Sequence, residues 1–184
     1  AVLVAAALLL AIALPATAQT DAQLPTLKAA ILADPELNVF PLNSDGAFAI
    51  AELLNLPASP PFYVWRTRVN KNEFSDSVSI EATSWSWTTY IGRSVAERDG
   101  WRELTSSSVN CALPNARAAV NDIFSGVAAA AVAQRAHVTA ICKRTATRGE
   151  KILASGTGSL ASPATMGHEG PIAHERVLAA RLLP

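Results

Sequence analysis

From Asp21 onward, apolar residues recur at helical spacing and are punctuated by Gly, Pro and Asn. Leu24, Leu27, Ile31 and Leu32 form a first stripe, which Asp34-Pro35 stops. Asn43-Ser44-Asp45-Gly46 reads as a turn with an N-cap, opening a second short helix that carries Phe48, Ile50, Ala51, Leu53 and Leu54. Pro57 and Pro60-Pro61 end it. Phe62, Tyr63, Val64 and Trp65 then make a dense apolar patch, read first as core because large aromatics bury the most area per residue. Residues 70–83 are polar and predict a short helix with a connector. Trp87, Tyr90, Ile91, Trp101 and Leu104 fit one face of a single helix running to about Thr105, which places Trp87 and Trp101 in one core. Pro114 suits the first turn of the next helix, with Val120, Ile123 and Phe124 as its stripe and Ser125-Gly126 as its stop. An Ala-rich helix is expected from Val127 to about Ala146. Thr147-x-x-Glu150 has capping-box spacing, so a new or kinked helix starts there. Residues 155–159 read as a flexible loop, Ser162 to Ile172 as an extended arm, and Glu175 to Leu183 as a last helix. No run of alternating β-branched residues and no internal repeat is visible. The pattern predicts a mainly α fold: a single helical domain over residues 21–160, an extended C-terminal arm with a short helix over 161–184, and a loose apolar N-terminal segment over 1–20.

That first segment contains no charge. Its apolar run from Ala1 to Leu14 is closed by Pro15, and Ala16-Thr17-Ala18 has the small-residue spacing of a signal-peptide cleavage site. As a helix, the run would rise about 21 Å at ~1.5 Å per residue, short of the roughly 30 Å hydrocarbon core, so no membrane span is expected. Three readings stay open: a cleaved signal peptide, a buried or partner-bound apolar helix, and an upstream extension from a misplaced start.

Composition narrows the function classes. Half of the 184 residues are hydrophobic, 16% are charged, and fifteen basic residues offset fifteen acidic ones. This excludes a highly charged disordered chain and argues against nucleic-acid binding by bulk positive charge. Gly156-Thr157-Gly158-Ser159 lacks the Lys that a phosphate loop requires. His137, His168 and His174 have no zinc spacing. Cys111 and Cys142 are expected as thiols, a disulfide following only if the chain is exported. No nucleophile elbow is present, and Glu97 and Asp99 sit among arginines as surface ion pairs would. No catalytic, cofactor or metal site is expected.

The charge is uneven along the chain. Asp21 to Asp122 holds eight basic and twelve acidic residues, while Arg135 to Arg181 holds seven basic and three acidic. The excess of −4 against +4 is balanced either inside one molecule or between copies arranged head to tail, a heterologous contact that closes rings. The candidate subunit-interface residues are therefore Arg135, Lys143, Arg144, Arg148 and Lys151, with Phe62, Tyr63 and Trp65 as apolar alternatives.

Several stretches carry a family resemblance. They are Asn43-Ser44-Asp45-Gly46-Ala47-Phe48-Ala49-Ile50-Ala51; Trp65-Arg66-Thr67 with Ser84-Trp85-Ser86-Trp87-Thr88 and Glu97-Arg98-Asp99-Gly100-Trp101; and Asn121-Asp122-Ile123-Phe124-Ser125-Gly126 with Gln134-Arg135-Ala136-His137 and Ala146-Thr147-Arg148-Gly149-Glu150-Lys151. From about Leu24 to the C-terminus the chain resembles small virion-structural proteins of tailed bacteriophages and prophages, of the head and neck morphogenesis clusters. The resemblance implies a non-enzymatic head–tail connector or adaptor, a homo-oligomeric ring beneath the portal. Its partners would be itself, the portal and neighbouring neck or tail proteins, without sequence-specific nucleic acid, and its place would be the virion. The alternative is an exported, periplasmic or secreted, binding or envelope-associated protein.

Overall fold

The computed structural model describes residues 20–184; the apolar stretch 1–19, on which the signal-peptide and start-site readings turn, lies outside the described residues. The fold is mainly α. A 3-10 turn over Asp21–Gln23 leads into α1 (Leu24–Ala33), followed by α2 (Ser44–Leu54), β1 (Tyr63–Trp65), α3 (Lys71–Asp76), α4 (Trp87–Ile91), α5 (Val95–Leu104) and α6 (Pro114–Ile123). Then come α7 (Ala129–Ile141), β2 (Lys143–Thr145), α8 (Arg148–Leu153), β3 (Ala154–Ser155), β4 (Thr165–Met166) and α9 (His174–Leu182).

Two helical cores sit side by side. In the first, α9 packs on both α1 and α2, burying Leu24, Leu27, Ile31, Ile50, Leu54 and Val177 together with Leu37 and Ile172 from the connections. Asn43 starts α2 by accepting from the Gly46 amide at 2.9 Å. A side chain at Gly46 would meet the Pro41 carbonyl oxygen at 2.0 Å, so the turn needs glycine there. The second core joins α3, α5, α6 and α7 through Phe74, Trp101, Val120, Phe124 and Val138. Trp101 stacks on Trp85 at 5.3 Å and meets Phe74 and Phe124 edge to face at 5.2 and 5.3 Å.

A small antiparallel ladder lies between the cores: Tyr63, Val64 and Trp65 pair with Thr145, Arg144 and Lys143. Val64 also bridges Ala164 in parallel, and Ala154 and Ser155 pair with Met166 and Thr165. The C-terminal arm is extended, as its pattern predicts, but it does not stand apart. Ala164 and Ile172 are buried, and α9 is part of the first core.

Three local expectations are corrected. The helix expected through Trp87 to Thr105 is two helices. Ser94 accepts from the Glu97 amide at 3.2 Å while the Ser94 amide donates to Glu97 at 2.8 Å, a capping box that starts α5 afresh. The turn reorients α4, so Trp87 is 57% exposed while Trp101 is buried. The Ala-rich helix ends at Ile141 because residues 143–145 are taken up as the partner strand of β1. The loop 155–159 is pinned: the Tyr63 amide donates to the Gly158 carbonyl at 2.7 Å. Gly158 has φ +64°, and a Cβ there would lie 2.1 Å from the Phe62 ring.

Candidate functional site

The basic stretch of the second half is folded inward. Strand β2 and the start of α8 place Arg144 over Glu150, whose two carboxylate oxygens accept from the guanidinium at 2.6 and 2.8 Å. Glu150 is 1% exposed. It also accepts from the Gly170 and Thr147 amides, both at 3.0 Å, the second closing the Thr147 capping box. Burial alone would raise the Glu150 pKa, but the hydrogen bonds from Arg144, Gly170 and Thr147 and the Arg144 charge hold it below the usual carboxylate range. The hydrogen bond from Arg144 to Glu150 raises the guanidinium pKa in turn. Glu169 joins at 3.4 Å from Arg144 and accepts from the Thr67 hydroxyl.

The other candidates are placed in the same manner. Arg148 spans Glu36 at 2.7 Å and Asp34 at 2.8 Å, tying α8 to the segment after α1. Lys143 meets Glu81 at 2.6 Å. Arg135 donates to the carbonyls of Phe124 and Gly126, satisfying the end of α6. Lys151 is exposed, with its Nζ 5.8 Å from the Phe62 ring centre. Phe62, Tyr63 and Trp65 are half-buried on and beside β1. The structure therefore brings together Arg144 and Tyr63–Trp65 at one ladder. Arg135 lies apart from them, and Arg144 and Arg148 are directed onto carboxylates of their own chain.

Further groupings were not visible in the sequence. Arg117 donates to the Cys111 and Ala112 carbonyls at 2.6 and 2.9 Å and lies 4.5 Å over the Trp65 ring. Arg66 pairs with Glu73, whose own pKa is lowered, the Asn70 and Arg66 hydrogen bonds outweighing its desolvation. Cys111 and Cys142 form a disulfide with their Cα atoms 5.6 Å apart, where free thiols were expected. The capping-box spacing was a signal for Glu150; for Arg117 and Glu169 the sequence offers none.

A cleft of about 570 Å³ is walled by Asp34, Glu36, Arg148 and Lys151 over Leu56, Pro57 and Ile152. Its arginine is already engaged by both carboxylates. His137 is buried; its Nε2 donates to the Phe74 carbonyl at 2.7 Å and its Nδ1 lies 3.1 Å from the Thr83 hydroxyl, which joins α7 to α3. Among the described residues, no group of three or more His, Cys, Asp or Glu could hold a metal ion, and no helix is long and apolar enough to cross a membrane.

Large exposed apolar side chains occur on several elements and connections, among them Leu32, Val39, Val78 and Val127. Trp87, Ile91 and Val95 are 57%, 62% and 64% exposed along α4 and the first residue of α5. Comparison with known protein families, characterised proteins and solved structures finds no match.

Proposed function

We propose that the chain is a non-enzymatic structural subunit of a tailed-phage virion, a head–tail connector or adaptor that forms a ring of copies under the portal. The observation that carries this reading is the apolar ridge of Trp87 and Ile91, large side chains left in water one turn apart on α4, with Val95 exposed at the start of α5. Such a patch costs solubility unless another surface covers it, and a second copy of the chain is the occupant proposed. The motif resemblance from about Leu24 onward supports the virion role. Because Arg144 and Arg148 are spent on internal pairs, the subunit contact is assigned to apolar groups rather than to alternating charge. Analytical ultracentrifugation of residues 20–184 tests it. Oligomers that dissociate when Trp87 and Ile91 are changed to Ser support the reading; a monomer at all concentrations that is also missing from particles overturns it.

One observation favours a second reading, an exported domain released from a signal peptide. The Cys111–Cys142 disulfide belongs to oxidising compartments. The intact mass of the protein isolated from its own host separates the two. A mature chain beginning near Gln19 supports export; one beginning near Leu24 supports the virion reading.

A further inference from the structure

The two half-cystines are held together by more than their sulfur bond. The Cys111 amide donates to the Arg66 carbonyl at 3.0 Å, and the Arg66 amide donates to the Cys142 carbonyl at 2.8 Å. One residue next to β1 therefore spans both cysteines through its backbone. Val69 and Val109 exchange a further pair of hydrogen bonds at 3.0 and 2.8 Å. Without the covalent bond, the cluster of Phe74, Trp101, Phe124 and Val138 still closes the domain, while the connection 106–113 is left to the burial of Val109 and to these backbone hydrogen bonds alone. What the disulfide adds is a tether on the connection 106–113, whose Ser106 and Ser107 are exposed and which is anchored inward at Val109 and Cys111. That connection carries the carbonyls of Cys111 and Ala112, the two acceptors that hold the Arg117 guanidinium over Trp65.

We propose that the Cys111–Cys142 bond is a redox-controlled latch on the cap over Trp65. Oxidised, it fixes the 106–113 connection and so keeps Arg117 stacked on the indole. Reduced, it leaves the domain folded but lets that connection open locally, which withdraws both acceptors from Arg117 and bares the Trp65 face. The reaction is thiol–disulfide exchange with a dithiol. Two electrons and two protons pass to the protein, the S–S bond becomes two thiols, and the dithiol closes to its own disulfide. Cys111 and Cys142 are 1% and 3% exposed, so exchange proceeds through the opened connection and the latch is slow to change state in the closed fold. The subunit thereby presents one surface in a reducing compartment and another after oxidation. This holds whether the protein is a virion part or an exported domain.

The test compares three samples of the full chain: the oxidised protein, the protein refolded in excess dithiothreitol, and Cys111→Ala/Cys142→Ala. Hydrogen exchange read by mass spectrometry should accelerate at least about tenfold in peptides covering 106–113 in the second and third samples and stay unchanged over 24–54, as local opening requires. Hydroxyl-radical footprinting should show Trp65 modified at least about twofold faster in the same samples, since local opening removes its cover. A separate variant, Arg117→Gln in the oxidised chain, should raise the Trp65 footprint without accelerating exchange in 106–113. Equal exchange in oxidised and reduced chains overturns the latch. An unchanged Trp65 footprint in Arg117→Gln overturns the cap. Loss of the cooperative thermal transition on reduction also overturns the proposal, because the bond would then hold the whole fold rather than one connection.

Discussion

Among the described residues, Glu150 is the one buried carboxylate. A carboxylate with 2% of its side chain exposed is tolerable because a bidentate guanidinium and two amides replace the water it loses. Changing Glu150→Gln removes the charge and leaves Arg144 with Glu169 at 3.4 Å and, at 30% exposure, part of its hydration. The expected loss is about 2–4 kcal/mol in urea unfolding, somewhat below the ~3–5 kcal/mol of a fully buried broken pair. The pH dependence has a definite sign. The folded pKa of Glu150 is lowered, so its stabilisation is complete above the ordinary carboxylate range and disappears as pH falls through the folded value. Thermal melts of the wild type should drop on acidification, and those of Glu150→Gln should drop less. The two tryptophans expected in one core give a second contrast. Trp101→Ala should cost ~3–5 kcal/mol, because its ring is packed among Phe74, Trp85 and Phe124. Trp87→Ser should cost about 0.5–1.5 kcal/mol in the monomer, because its exposed ring keeps only edge-to-face contacts with Trp85 and Tyr90. Equal losses at both positions would return Trp87 to the core.

At the scale of elements, the helices begin where short side chains take over the free amides of a first turn. Ser94→Ala should cost about 1 kcal/mol and Thr147→Ala a similar amount, since each loses an amide partner of its helix start. If Ser94→Ala is neutral in denaturant melts, the break between α4 and α5 is held by something other than the cap. These signals also mark how far the sequence was legible. Asn43, Pro114 and Thr147-x-x-Glu150 announce helix starts through interactions within four residues, and the structure has all three. The helical stripes of α1 and α6 are equally local. What stayed hidden depends on partners distant in the chain. Lys143 to Thr145 read as the tail of an Ala-rich helix because nothing nearby shows that Tyr63–Trp65 will pair with them. Gly158 read as flexible for the same reason: its constraint comes from Phe62, almost a hundred residues earlier. The candidate interface was legible as a charge asymmetry, yet its internal resolution onto Asp34, Glu36, Glu81 and Glu150 needs the fold.

Across the whole molecule, zero net charge hides two halves of opposite sign, and folding closes much of that difference inside one chain. Arg148 reaches back to Asp34 and Glu36, and Lys143 reaches back to Glu81, so the acidic first half meets the basic second half without a second copy. Assembly and folding should therefore respond to different substitutions. Reversing Arg144 and Arg148 to Glu places like charges against Glu150, Asp34 and Glu36. The expected result is a destabilised monomer, by several kcal/mol, with the buried Arg144–Glu150 contact contributing most and the more exposed Arg148 pairs discounted by solvent screening. Changing Trp87 and Ile91 to Ser should leave the thermal transition of the monomer within a few degrees and weaken self-association, because most of the apolar area it removes faces solvent. Salt separates the two cases further. Raising the ionic strength screens exposed pairs over about 8–10 Å but strengthens apolar contacts when the salt is a sulfate. Oligomers held by the ridge should persist or grow in ammonium sulfate, as read by sedimentation. If they instead dissolve with salt, and the Arg144/Arg148 reversal leaves a stable monomer that no longer associates, the contact between copies is electrostatic and the internal pairs exchange for external ones on assembly.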